Sequence, residues 1–171
     1  FFVAIDLISR GRAVILACFA GLGLMMLYFV FYANSFQPEL QKVDVSLVSI
    51  KLLDVDKIDK RAHLQVDYML SNPTSVTTTI STINYDLYAN GKKIGEGHYS
   101  VEDIPMAGRP ALFPGGNVTV SDRFELVYTE NIDSEYNAIT SGQPMKFESK
   151  GQATIESAWT LVTKDFDLTF G

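Results

Sequence analysis

Residues 62–93 read AHLQVDYMLSNPTSVTTTISTINYDLYANGKK, and this stretch decides the fold class. From Ala62 to Leu70 the side chains alternate, Leu64, Val66, Tyr68 and Leu70 against His63, Gln65, Asp67 and Met69. That is the period of a strand with one face buried and one face wet. Asn72 and Pro73 stop it, because proline has no N–H to give the ladder and asparagine supports turns. A second strand runs from Thr77 to Tyr88 with Ile83, Tyr85 and Leu87 on one face, and Asn90–Gly91 is the dipeptide of a tight hairpin.

Outward from this hairpin the same period recurs. Lys92–Val101 returns as the partner strand, where Gly95 and Gly97 weaken side-chain packing but permit a bulge or a close backbone approach. Prolines and glycines dominate Ile104–Gly116, an irregular crossing loop. Val118, Val120, Phe124, Leu126 and Tyr128 mark a further strand; Met145, Phe147, Gly151, Ala153 and Ile155 mark another; Phe166, Leu168 and Phe170 mark the last. Upstream, Val43–Val55 is strand-like, but its alternation shifts between Leu47 and Val48, the mark of a bulge or bend. One short helix fits Ser134–Ser141, with Ile132, Tyr136 and Ile139 at helical spacing and Gly142 placed to cap it.

About seven strands in mostly hairpin order predict a mainly β fold, an antiparallel immunoglobulin- or fibronectin-like β-sandwich with one short helix. The Cys and Trp marks of a true immunoglobulin domain are absent. Trp159 reads as a core residue or a rim aromatic. The only cysteine, Cys18, precedes this domain, so the sandwich is expected to hold together without a disulfide.

Before the sandwich, Ala13–Ala33 reads AVILACFAGLGLMMLYFVFYA without a charged residue, the length a helix needs to cross a bilayer. A buried soluble helix or a secretory signal competes with this reading. Arg10 and Arg12 precede the run, whereas Glu39 and Lys42 are the first charges after it, so the positive-inside rule places the N-terminus in the cytoplasm. Tyr28, Tyr32 and Phe36 suit the outer interface. Ala13, Ala17 and Gly21 recur every four residues, a small-residue face that would let another membrane helix approach, although such spacings also arise by chance. The expected organisation is a short cytoplasmic or interfacial segment over 1–12, a transmembrane helix over 13–36, a linker over 37–42 and an extracytoplasmic sandwich over 43–171. Phe1–Ser9 either lies along the interface or lengthens the helix.

The run from Leu64 to Val120 resembles the water-stress and hypersensitive-response (WHy) domain, also called the late-embryogenesis-abundant type 2 (LEA-2) domain. The resemblance rests on an alternating strand ending in Ser71-Asn72-Pro73, on Ile83-Asn84-Tyr85-Asp86-Leu87-Tyr88, and on Asn90-Gly91-Lys92-Lys93-Ile94-Gly95. Ile104-Pro105 and Val118-Thr119-Val120 continue it in order. It implies a small β-sandwich with a helix near one end, often tethered to a membrane, and roles in stress protection, protein interaction or lipid handling. It supplies no catalytic set to transfer, and Asn72, Pro73, Asn90 and Gly91 are expected to be structural turn residues.

Little else in the sequence points to chemistry. The chain carries a net charge of −6, and the part after the apolar run has 12 basic and 19 acidic residues, a surface that repels phosphate backbones and argues against nucleic acid. Asp54, Asp56 and Asp59 lack the glycine and closing glutamate of a calcium loop. His63 and His98 have no His or Cys close by in sequence. No Gly-x-Ser-x-Gly elbow occurs, and Glu102 and Asp103 are indistinguishable from surface charge. No catalytic, cofactor or metal residues are expected. Asn117-Val118-Thr119 is an N-glycan acceptor sequence on the expected outer side, used or unused.

The expected function is therefore a non-enzymatic accessory or scaffold subunit of a larger membrane protein complex, whose helix contacts other integral membrane proteins and the lipid bilayer. One alternative is a module that binds a lipid or hydrophobic ligand in a groove lined by Met106, Leu112 and Phe113. Another is a filament- or pilin-associated subunit, which would bury Arg10 and Arg12 at a cost.

Overall fold

The computed structural model describes the backbone of residues 2–171 and the side chains of 11–106 and 108–171. The chain divides into a helical unit ending at Phe36 and a second unit, Gln37–Gly171.

The first unit is a single helix, α1 (Phe2–Ser35). A helix of 34 residues is about 50 Å long, well beyond the roughly 30 Å hydrocarbon core. Of the two courses open to the first nine residues, the described ones continue the helix; Phe1 lies outside the described residues. The span from Gly11 to Leu40 has a most apolar window of mean hydropathy 2.5, and none of that window is buried. Tyr28 and Tyr32 stack one turn apart with ring centroids 6.0 Å apart, and Phe36 meets Tyr32 edge-on at 5.0 Å.

The second unit begins with one helical turn, α2 (Gln37–Leu40). The stretch 37–42 thus differs from the linker expected there: Leu40 is completely buried, as is Val43 after it. A single leucine among Gln, Pro, Glu and Lys has no periodicity to reveal it, and its burial comes from packing alone. Seven strands follow: β1 (Asp44–Asp56), β2 (Arg61–Ser71), β3 (Thr79–Ala89), β4 (Lys92–Ser100), β5 (Asn117–Val127), β6 (Phe147–Glu156) and β7 (Leu161–Phe170), with a helix α3 (Asp133–Thr140) between β5 and β6.

They form two antiparallel sheets, β1-β2-β5 and β4-β3-β6-β7. In an immunoglobulin constant domain the fourth strand joins the sheet of the first, second and fifth. Here it pairs with β3 instead, so of the two sandwich types expected the strand order favours the fibronectin-like one. The core lies between the sheets, built from the alternate residues anticipated: Leu64, Val66, Tyr68 and Leu70 of β2, Ile83, Tyr85 and Leu87 of β3, Phe124 and Leu126 of β5.

Local geometry follows residue chemistry. β1 slips register at Val48 and again at Leu53, so its inward residues change from Val45 and Leu47 to Ile50, and then back to Val55; a bulge shifts the side-chain parity by one. Asn90 and Gly91 both have positive φ, 50° and 82°, as a two-residue hairpin with the sheet's own twist requires. Helix α3 closes on Gly142, φ 70°. There the Gly142 amide donates to the Ile139 carbonyl and the Gln143 amide to the Ala138 carbonyl, each at 3.0 Å, a Schellman ending.

Because every pairing is antiparallel, the chain enters β1, leaves β2 for β3, leaves β4 for β5 and leaves β6 for β7 at one end of the sandwich. That entry end also holds α2. The β1–β2 and β3–β4 hairpins and α3 occupy the far end.

Candidate functional site

Asn72 organises the entry end. Its side chain is fully buried and all of its bonding capacity is used. The amide nitrogen donates to the carbonyls of Val76 (2.8 Å) and Leu112 (3.0 Å), and the amide oxygen accepts from the backbone N–H (3.0 Å) and hydroxyl (2.7 Å) of Thr74. Its backbone bonds the same loop, donating to Gly116 and accepting from Gly115. A backbone pair between Thr78 and Leu112 completes the seam. The β2–β3 link and the β4–β5 loop are thus one stitched layer. Leu112 is drawn into the core, while Met106 and Phe113 on either side of it stand outward and exposed.

Between the sheets lie two cross-sheet polar bonds. Tyr68 of β2 shares a hydroxyl–hydroxyl bond of 2.6 Å with Ser149 of β6, and Tyr85 of β3 donates to the Asp122 carboxylate of β5 at 2.7 Å. The two tyrosine rings meet edge to face at 5.4 Å. Glycines make room for them. A Cβ on Gly97 would lie 2.1 Å from the Tyr85 ring, and one on Gly95 would lie 2.7 Å from the Phe124 ring. What approaches these two glycines is therefore aromatic side chains rather than the backbone expected there. Burial, then the negative Asp122, push the Tyr85 hydroxyl far above the ordinary tyrosine range; burial does the same to Tyr68 against an opposing bond from Ser149. Burial also raises the Asp122 carboxyl, although the Tyr85 bond partly offsets it. With each hydroxyl engaged and too weakly acidic to ionise, the cluster serves as a pair of struts across the core.

Asp122 and Ser149 escaped sequence reading, yet each carries a signal. Asp122 falls on the inward register of Val120, Phe124 and Leu126, and Ser149 on that of Phe147 and Ala153. Polar residues in buried register are bonded when they are tolerated at all. Asp67 on β2 is a different case, since it falls on the outward register of His63, Gln65 and Met69. It is buried and accepts from Ser121 (2.6 Å) and Gln65 (2.8 Å). Burial raises its carboxyl, and the hydrogen bonds outweigh that and hold it below the ordinary value.

The other residues singled out are dispersed. Asp54 meets His63 at 2.6 Å and Arg123 at 3.0 Å. Asp56 folds back onto the amides of Ile58 and Asp59, 2.8 and 3.1 Å away, and those backbone bonds lower its carboxyl below the ordinary value. His63 lies in the three-stranded sheet and His98 in the four-stranded one, where it contacts Asn84 at 2.5 Å. Asn117 is exposed at the first position of β5. Ala13, Ala17 and Gly21 are exposed on α1, and a Cβ at Gly21 would touch nothing within 4 Å. Trp159 is half-exposed on the β6–β7 turn.

The far end holds an open cleft of about 750 Å³ between the β1–β2 hairpin and α3, lined by Val55, Lys57, Lys60, Tyr128 and Tyr136 among others. Lys60 sits 4.7 Å over the Tyr128 ring, and the Tyr128 hydroxyl donates to Asp133 at 2.9 Å.

No protein-family profile and no curated protein matches the chain. Among solved structures it is similar to a protein from Archaeoglobus fulgidus, at 19% identity and a TM-score of 0.44 over 73% of this chain and 94% of that one. It is similar to an Arabidopsis thaliana protein solved in solution, at 15% identity and a TM-score of 0.49 over 74% and 83%. A late embryogenesis abundant (LEA) protein is a further likeness, at 13% identity and a TM-score of 0.39 over 88% and 86%. The fold described above stands on this chain's own strand order and register.

Proposed function

We propose that the chain is a single-pass membrane protein, N-terminus in the cytoplasm, whose LEA-2-like sandwich stands outside and serves as an accessory or scaffold subunit of a larger membrane complex. The observation that carries this reading is α1, an apolar helix with none of its most apolar window buried. A soluble core helix would be covered by its own domain, and an uncovered apolar surface of this length suits lipid or other membrane helices. The sandwich supports the same reading, because its buried polar groups, Asn72, Tyr68, Ser149, Tyr85 and Asp122, are spent on holding loops and sheets.

Purification of the native chain in gentle detergent, with mass spectrometry of the proteins and lipids that accompany it, tests the proposal. A stoichiometric set of integral membrane proteins is expected. A chain that runs alone in both native membranes and mild detergent would refute the scaffold role, and a lone chain with a defined lipid would replace it with the lipid-binding one.

A further inference from the structure

The two ends of the sandwich differ in kind. At the far end the β1–β2 hairpin reads Asp56-Lys57-Ile58-Asp59-Lys60, with Ile58 93% exposed among four charges, the β3–β4 turn leads into Lys92 and Lys93, and Glu130 precedes α3, whose first turn carries Asp133 and Glu135. At the entry end, residues 72–78, 104–116 and 157–161 together hold one charge, Arg109; Glu102 and Asp103 precede them on a 3-10 turn just after β4, and α2 with the residues after it adds the ion pair of Glu39 and Lys42. These nearly chargeless links hold out Met106 at 83% exposure, Phe113 at 64%, Leu161 at 57% and Trp159 at 52%. Single exposed apolar side chains are ordinary. Four large ones on two links of the same end, beside a cation, form the kind of surface that meets a bilayer interface.

Chain connectivity identifies the occupant. The chargeless run of α1 ends at Ala33, Tyr28, Tyr32 and Phe36 form its aromatic belt, and Leu40 is already buried inside the sandwich. From Phe36 to Leu40 the chain can reach at most about 14 Å. The headgroup layer on each side of the hydrocarbon core is roughly 5–8 Å deep. A tether this short keeps the entry end at the bilayer surface.

We propose that the entry end of the sandwich beds into the outer headgroup layer, with Met106, Phe113, Trp159 and Leu161 at the acyl-chain boundary and Arg109 against lipid phosphates. This rests on the reading of α1 as a membrane anchor. The bilayer is then a second binding surface of the domain, one that fixes which face it turns to its neighbours.

Trp159 is the chain's only tryptophan, so indole emission reports on the entry end alone. The full chain is reconstituted in phosphatidylcholine vesicles with plain or dibrominated acyl chains, and iodide is added to the water. Brominated lipid should remove Trp159 emission while iodide leaves it. In the Met106→Ser, Phe113→Ser double variant, whose changes fall on exposed positions, bromine quenching should fall and emission shift to the red. Flotation of the vesicles after a carbonate wash tests the anchor separately. A chain left at the bottom of the gradient overturns the anchor and this inference together. A chain that floats while iodide, and not bromine, quenches Trp159 overturns the bedding alone.

Discussion

Replacing Asn72 by alanine removes four hydrogen bonds, and the structure shows what each partner keeps. The Leu112 carbonyl still accepts from the Thr78 amide at 3.0 Å, and the Val76 carbonyl still accepts from the Thr74 hydroxyl at 3.2 Å. The Thr74 N–H, which bonded the Asn72 oxygen, is left buried with no acceptor. One orphaned buried donor costs about 1–3 kcal/mol, and three further lost bonds about 0.5–1 kcal/mol each, so the loss is roughly 2.5–6 kcal/mol. For a domain of this size that lowers the melting temperature by roughly 10–20 °C. The melt of the full chain in detergent, followed by near-ultraviolet circular dichroism and Trp159 emission, measures it. Asn72→Asp sharpens the test. It keeps the acceptor side but turns a carboxylate oxygen toward the Val76 and Leu112 carbonyls, so it should be at least as harmful at neutral pH and partly recover in acid, where the protonated group donates one bond. A drop of under about 4 °C for the alanine variant, close to 1 kcal/mol, would mean that water replaces the amide and that Asn72 does not stitch the layer.

Gly97→Ala puts a methyl group into the Tyr85 ring, so the ring must leave and the Asp122 bond with it; a loss of about 2–4 kcal/mol is expected in the same melt, and an unchanged melting temperature would show that the ring has another seat. Asp122 has a raised folded-state pKa, so its contribution to stability is full below its unfolded value near 3.8 and declines as pH rises through the folded one. In Asp122→Asn that decline should vanish from the stability profile above pH 3.8, and a profile identical to the parent's would assign the slope elsewhere. Asn117 is exposed at the head of β5, and the intact native chain is expected to exceed its polypeptide mass by a glycan that Thr119→Ala abolishes; a native mass equal to the polypeptide's rules this out. A glycan there would hold that flank of the entry end in water and limit how deeply Phe113 sinks.

Where a property depends on parity along one strand, the sequence was enough to read it. The inward sets of β2 and β3, the slip at Val48 and the Asn90–Gly91 turn are local consequences of alternation and of two residues that tolerate positive φ. Properties that depend on what lies opposite were hidden. Leu40 looks like linker because its partners come from elsewhere in the fold, and the second slip of β1, at Leu53, lies in a run where four residues in succession are exposed and no face is marked. Asn72 was legible as a turn residue, but its bonds to a loop forty residues away were not. Asp122 and Tyr85 each look anomalous alone, and only the pairing of opposite sheets shows that one explains the other.

The contrast between the two ends bears on how such a domain could act as a scaffold. The exposed apolar groups of the entry end amount to four side chains on two loops, a weak contact for a free domain. With α1 as the proposed anchor, the few residues between Phe36 and Leu40 would bring the patch to the bilayer at an effective concentration in the millimolar range or above, where a weak contact is enough to select an orientation. In the arrangement proposed above, the charged far end, with Lys57, Lys60 and α3 around its cleft, would stand away from the lipid. A subunit oriented in this way presents the same lateral sheet faces to every neighbour, which is the geometric requirement for bracing an assembly whose members can move only in the plane of the membrane.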